Sequence, residues 1–352
     1  GEVIRASSLD DTRERFMQTG VFRSVDLRLL PVVGPDGPLG HEDVRDVVLD
    51  VAERSDINLE YSLRYTTAGH AQVGGAPSES QAGVQLGAGV EFVNPFGWAD
   101  RYRFSGLLGQ ERRQLNARYD RSTFFGWQVP TEVFVYDDRR RLEDAEGLSQ
   151  QVTGATFEQS RRWRTGIDGR RLHERLRMQW GYTIKRIEYS DFTRFGATLG
   201  GLRAGPIHSL VSDTRDSVTD PRRGVLWSVG SELALKSLGS DVNYLRTFGQ
   251  FLVFVPLTPH LTWAQGYLLG VVPGDDPFLL LDSRFYAGGA TSVRGFEERS
   301  LGPRGPDGVA IGGQASAIFN QELRFPLWSR LHGGIFYDAG NAFALASDLD
   351  LS

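Results

Sequence analysis

The chain has 352 residues, enough for one large domain or two ordinary ones, with 42 Gly, 21 Phe, 11 Tyr and 7 Trp but only 2 Met and no Cys. Without cysteine there is no disulfide framework, no thiolate metal site and no cysteine nucleophile. Acidic side chains outnumber basic ones by 44 to 39, and the net charge of −5 argues against broad contact with a phosphate backbone, so no nucleic-acid partner is expected.

The chain opens on GEVIRASSLDD with no charged-then-apolar signal, which reads as a cut within a domain; an export signal is expected outside this sequence. Residues 10–18 have helical spacing, with acidic residues at the start, apolar Phe16 and Met17, and Gly20 as a stop signal. VFRSVDLRLLP alternates Val25, Leu27 and Leu29 against Ser24, Asp26 and Arg28, so a strand follows. A Gly/Pro turn and the strand-like DVVLDVAE complete a helix–strand–turn–strand unit that lacks its beginning.

From about residue 56 the period is two. INLEYSLRYTT sets Leu59, Tyr61, Leu63 and Tyr65 against Glu60, Ser62 and Arg64, and VLWSVGSELALK sets Val225, Trp227, Val229, Leu233 and Leu235 against Ser228, Glu232 and Lys236. Strands are expected near 56–67, 82–93, 101–110, 113–122, 129–138, 150–163, 171–190, 203–212, 224–236, 241–255, 260–272, 313–325 and 331–340. No stretch approaches the roughly 18–20 apolar residues of a membrane helix; the longest run is FLVFVPL at 251–257.

A soluble sandwich and a transmembrane β-barrel both fit low hydropathy with much Gly and aromatic content, because only alternate residues of a barrel strand face lipid. Three features favour the barrel. Many strands exceed the ~5–6 residues usual in soluble sheets. Short connections (NPFGWAD, PLTPH) alternate with long ones (68–81, 139–149, 273–312). Trp98, Trp127, Trp163, Trp227, Trp263 and Trp328 gather at the end where the chain comes in, with only Trp180 in mid-strand, as at a membrane–water boundary.

FYAGGATSVRGFEERSLGPRG (285–305) lies in the long connection after the eleventh of these strands. Its GGATSVRGF core resembles the signature loop of the BamA/TamA superfamily of outer-membrane assembly proteins. NQELRFPLW (320–328) and FYDAGNAF (336–343) resemble that family's next two strands, and DTRDSVTDPRRG (213–224) its turn between the eighth and ninth. The unit at 10–53 looks like the tail of a POTRA domain. LGSDVNYLRTFGQ and FYDAGNAF lean toward the TamA branch.

The resemblance implies an all-β fold: an antiparallel transmembrane β-barrel of the 16-strand type with about 13 strands present (54–352), preceded by a partial α+β POTRA domain (1–53). With LASDLDLS as its last residues, the chain is expected to be a fragment short of the last three strands. The resemblance also implies a lumen-loop motif of Gly289, Ser292, Val293, Arg294, Gly295 and Phe296, folded back so that the arginine meets acidic residues of the inner wall. Strand phasing supplies candidates. Glu322 shares a face with Asn320 and Arg324, opposite Phe319, Leu323 and Phe325, while Asp338 lies opposite Ile335 and Tyr337. Two inward carboxylates give a guanidinium a forked partner set that lysine does not match. The competing reading is a solvated arginine on an outer loop.

In DTRDSVTDPRRG, Pro221 and Gly224 separate two strands, and Asp213, Arg215 and Asp216 are placed to tie the turn. It is either a stable turn alone or a contact surface for periplasmic partners. Catalysis finds no motif: there is no G-x-S-x-G, H-E-x-x-H or P-loop, and His41, His70, His173, His208, His260 and His332 show no ligand spacing. The acidic loop GDDP (274–277) reads as solvated.

The resemblance implies an assembly factor that folds and inserts β-barrel or autotransporter clients without cofactor or metal, using the first strand as one side of a lateral seam. It would sit in the bacterial outer membrane with its N-terminal part in the periplasm. Implied partners are unfolded outer-membrane clients, the lipid bilayer and a TamB-like periplasm-spanning protein. The alternatives are a polypeptide-translocating pore of the two-partner secretion type and a diffusion porin.

Overall fold

The computed structural model describes residues 6–31, 33–34, 37–38, 45–66, 69–73, 76–80, 83–110, 112–141, 149–164, 174–190, 198–274, 283–305, 308, 310–328, 331–345 and 347. Of the GDDP loop only Gly274 falls within them, and most of LASDLDLS lies outside.

Helix α1 (Ala6–Gln18) begins four residues before the Asp10–Asp11 pair, so these carboxylates sit in its second turn and not at its start. Ala6 and Leu9 are strong helix formers and carry the helix back past the acidic signal. It ends where Gly20 N–H donates to the Met17 carbonyl at 3.1 Å. β1 (Phe22–Pro31) and β2 (Arg45–Glu53) pair antiparallel with Val25 opposite Val51 and Leu27 opposite Leu49. Phe16 of the helix meets Phe22 at 5.7 Å between ring centroids, and Val25 is fully buried.

Apart from a two-residue ladder (Val33–Gly34 with Gly37–Pro38) and a hairpin in the 68–81 connection (Gly69–Val73 with Ala76–Ser80), the rest is one sheet of 13 antiparallel strands joined in sequence order. They are β3 (Ile57–Thr66), β4 (Gly83–Val93), β5 (Asp100–Gly109), β6 (Arg112–Arg121), β7 (Thr131–Arg141), β8 (Ser149–Arg164) and β9 (Glu174–Ser190). β10 (Thr198–Asp213), β11 (Gly224–Ala234), β12 (Tyr244–Thr258), β13 (Leu261–Val271), β14 (Ala315–Trp328) and β15 (Leu331–Phe343) complete it. Among the described residues β3 and β15 are its two edges.

All thirteen strands expected from periodicity are present. The largest boundary difference is β10, which starts five residues earlier than its apolar alternation suggests, because TLGGLRAGP hides the pattern behind glycines. Those glycines have a packing reason: a Cβ at Gly200 would lie 2.4 Å from the Ile187 carbonyl oxygen and one at Gly205 would lie 1.8 Å from that of Leu233. Connections are not uniformly long at the far end either, since β5 and β6 are joined through 110–111 alone.

The two faces of the sheet differ as the alternation requires. Leu59, Tyr61, Leu63, Leu86, Leu108, Ile335 and Tyr337 are large, apolar or aromatic, and exposed on one face. The other carries ion pairs such as Arg103–Glu91 (2.8 Å), Arg112–Asp138 (2.7 Å) and Lys185–Glu232 (2.7 Å), and it is covered by the segment 283–305. An apolar exterior with a polar interior is what a wall between lipid and a wet lumen demands. No helix among the described residues is long and apolar enough to cross a membrane, which says nothing of strands.

Candidate functional site

The segment 283–305, between β13 and β14, runs along the polar face of the wall, and its backbone pairing is limited to isolated bridges such as Phe285 to Gly313 and, within the segment, Ala287 to Leu301. Two apolar contacts fix its course. Phe285 is fully buried with Ala234, Val242, Tyr244 and Val272, and its ring stacks on Phe248 at 6.5 Å. Gly270 makes room for it, since a Cβ there would lie 2.3 Å from the Phe285 ring. Further on, Val293 and Ala287 pack with Ile318 of β14 and Ala342 of β15.

Between these anchors the chain makes a tight turn. Gly289 N–H donates to the Phe296 carbonyl at 3.2 Å and Ser292 Oγ to the Gly288 carbonyl at 2.7 Å. Gly289 and Gly295 have φ of +99° and +89°, a region closed to most side chains. The turn aims Arg294 at the wall. Its Nε and Nη2 donate to Asp338 Oδ2 and Oδ1 at 2.7 and 2.8 Å, and Nη1 donates to Glu322 Oε2 at 2.6 Å. The Arg294 backbone N–H adds a fourth bond, to Asp338 Oδ2 at 3.0 Å. Asp338 is almost completely enclosed, with 2% of its side chain exposed, against 27% for Arg294.

The structure therefore brings Arg294, Glu322 and Asp338 together, and it adds Asn320 and Arg324, which phasing places on the lumen face without a role, and Phe336, which is not singled out in the sequence analysis. Asn320 lies directly opposite Asp338 and donates from Nδ2 to Asp338 Oδ1 (2.9 Å) and to the Ser292 carbonyl (2.6 Å). Arg324 Nε donates to Glu322 Oε1 at 2.7 Å. Phe336, directly opposite Glu322, lies under the guanidinium with Cζ 3.7 Å from its ring centroid, a cation–π contact. Asn320 and Arg324 sit two residues either side of Glu322, so the face pattern held the signal. Phe296 differs from the other motif members: its carbonyl serves the turn, but its side chain is 54% exposed and touches no wall cluster.

At the opposite end, 214–223 joins β10 to β11. Asp213 Oδ1 accepts from the Arg215 backbone N–H (3.1 Å) and Nε (2.9 Å), and Oδ2 accepts from Nη2 (2.8 Å). Asp216 Oδ1 accepts from the backbone N–H groups of Arg222 and Arg223 at 2.9 and 3.1 Å. Burial pushes the Asp216 carboxyl up, but those N–H donors outweigh it and hold it below the usual carboxylate range. Pro221 is buried, and Gly224 at φ +109° passes so close to Thr214 that a Cβ would lie 2.3 Å from its carbonyl oxygen. The three charged residues tie the turn internally, leaving Val218 as its exposed apolar tip.

Comparison with known proteins adds the following. A family model described as the Omp85 superfamily domain matches residues 94–349. The chain is 27% identical over 361 residues to the Sorting and assembly machinery component 50 homolog B of Xenopus laevis, covering 96% of this chain and 67% of that one. It is 24% identical over 371 residues to the Outer membrane protein assembly factor BamA of Nitratidesulfovibrio vulgaris, covering all of this chain and 42% of that protein. Among solved structures, BamA from Haemophilus ducreyi lacking POTRA domains 1–3 superposes with a TM-score of 0.69 at 16% identity, over 96% of this chain and 66% of that one. The chain thus spans from about two fifths to about two thirds of these relatives' lengths.

Proposed function

The chain belongs to the Omp85 superfamily, and from that premise we propose that it is the barrel-forming part of an outer-membrane assembly factor, which folds β-barrel clients and inserts them into the bilayer. Its clients are unfolded outer-membrane proteins. The observation that carries this reading is the clasp of Arg294 on Glu322 and Asp338 across the lumen face. A loop fastened there obstructs the lumen and disfavours a permanently open diffusion channel. By the family resemblance β3 is one side of a lateral seam, whose backbone N–H and C=O groups become available when the seam parts. An incoming strand can pair with such an edge by β-augmentation. Unsatisfied backbone groups are costly in lipid, so pairing there is favourable and needs no nucleotide or cofactor.

Residues 1–53 are the C-terminal part of a POTRA domain on the periplasmic side, and 54–352 are barrel. The relatives described above include an assembly factor called BamA and a sorting and assembly component, and both names support assembly over export. The location is the outer membrane; the finer assignment is a bacterial one, with a TamB-like periplasm-spanning partner for a TamA-like branch. No chemical step is catalysed.

Depletion of the native gene product tests this. Resident outer-membrane barrels should lose their heat-resistant folded form on gels and accumulate unfolded in the periplasm. Normal barrel assembly with loss of one secreted polypeptide would instead establish the translocation pore.

A further inference from the structure

Among the described residues, cross-strand electrostatics is violated at one place on the exposed apolar face. Arg113 on β6 and Arg139 on β7 are directly opposite each other in the register. Alternation places them on the face of Leu115, Tyr119 and Val135, away from the lumen-side pairs Arg112–Asp138 and Arg118–Glu132. Like charges directly opposite destabilise a strand pair. Both arginines are exposed and neither has a hydrogen bond or ion pair among the described residues. Asp137, one pleat nearer mid-strand on this face, offsets only part of the charge, and its Oδ1 already accepts from Thr153 Oγ1 (2.6 Å) and Gln151 Nε2 (2.8 Å). Arg141, exposed at the end of β7, adds another positive charge to the same face. Among the described residues, the next carboxylate along the rim, Glu188 on β9, faces Arg186 at 3.7 Å.

The level of the pair along the wall identifies what meets it. On β6 the outward residues between Arg113 and Arg121 are Leu115, Ala117 and Tyr119. At ~3.3 Å per residue and a tilt of ~40°, Arg113 and Arg121 are roughly 20 Å apart along the membrane normal, close to the ~25 Å apolar band of such barrels. Arg121 marks one boundary: its Cζ lies 5.6 Å from the ring centroid of Trp98, in the tryptophan-rich end. Arg113 and Arg139 mark the other.

We propose that Arg113 and Arg139 form a binding site for the headgroup phosphate of a membrane lipid in the leaflet on the long-loop side. A phosphate between two guanidiniums turns a repulsive pair into two charge-assisted, bidentate contacts. Leu108, opposite Arg113, flanks the pair, and Leu115 continues the surface toward the membrane centre; both are exposed aliphatic side chains, suited to acyl chains. That surface and this level select a lipid over free phosphate. The site rests on the outer-membrane reading.

The test uses the full-length protein in nanodiscs of phosphatidylcholine containing a small fraction of bis-phosphorylated lipid A, or of the same glycolipid stripped of phosphate. Retained glycolipid is read by native mass spectrometry and the thermal midpoint by intrinsic fluorescence. Wild type should retain the phosphorylated form and melt higher with it, and each Arg→Gln change should weaken retention about tenfold. Arg113→Gln/Arg139→Gln should lose the lipid-dependent shift, and Arg113→Lys/Arg139→Lys should keep part of it. Without glycolipid, Arg113→Gln should melt no lower than wild type, because a repulsion has been removed. Equal retention by the double Gln variant, indifference to dephosphorylation, or the same shift with inorganic phosphate alone would overturn the site. A wild-type protein that does not enter the nanodisc as a folded barrel would overturn the membrane reading, and the site with it.

Discussion

Replacing Arg294 by alanine in the full-length protein removes three guanidinium bonds, two to Asp338 and one to Glu322, together with the contact on Phe336. The carboxylates are not left equally bare. Glu322 keeps Arg324, and Asp338 keeps Asn320 and the backbone N–H of residue 294. Removing one member of a buried ion pair costs about 3–5 kcal/mol. With the guanidinium 27% exposed in a wet lumen, part of that is screened, and about 2–4 kcal/mol is the expected loss. Arg294→Lys retains the charge but not the fork, and should recover less than half of it. The assay is urea unfolding in detergent, followed by heat-modifiability on gels, with Arg294→Ala/Asp338→Asn closing a double-mutant cycle. A midpoint unchanged from wild type, or a coupling near zero, would mean that the clasp contributes nothing to the fold and that the proposed lumen anchor is wrong.

Asp338→Asn should cost more than Glu322→Gln in the same unfolding assay, because Asp338 is the more enclosed and accepts from both Arg294 and Asn320; the reverse order would contradict the geometry. Gly270→Val drives a side chain into the Phe285 ring, so a loss of about 1–3 kcal/mol and protease cleavage within 283–305 are expected. Asp216 is held below its unfolded value near 3.9, so its contribution to the 214–223 turn is complete above about pH 4 and drains away as pH falls through the folded pKa. The amide-exchange protection factors of Arg222 and Arg223, corrected for the intrinsic pH dependence of exchange, should fall over that acid range in wild type and stay flat with pH in Asp216→Asn.

Much of this is legible in the sequence. Period-two alternation locates thirteen strands, and the same phasing points Glu322 and Asp338 to the lumen, because side-chain direction in a strand is fixed by parity. Where glycines interrupt the alternation, as at Gly200, Gly201 and Gly205, the start of β10 is lost, since a residue without a side chain carries no face. The loop is legible only as chemistry. An irregular segment has no period to phase, so the seating of Phe285 over Gly270, the packing of Val293 against Ile318 and the placement of Phe336 under Arg294 depend on tertiary approach alone. The outward side chain of Phe296 is invisible for the same reason.

The central claim, assembly of clients, is tested most directly by reconstituting the full-length protein into proteoliposomes and adding a urea-unfolded outer-membrane barrel. The fraction of client reaching its heat-resistant folded form is then followed with time. Faster client folding than in empty liposomes, diminished by Arg294→Ala, is the predicted result. Client folding no faster than in empty liposomes, with wild-type protein correctly inserted, would contradict it.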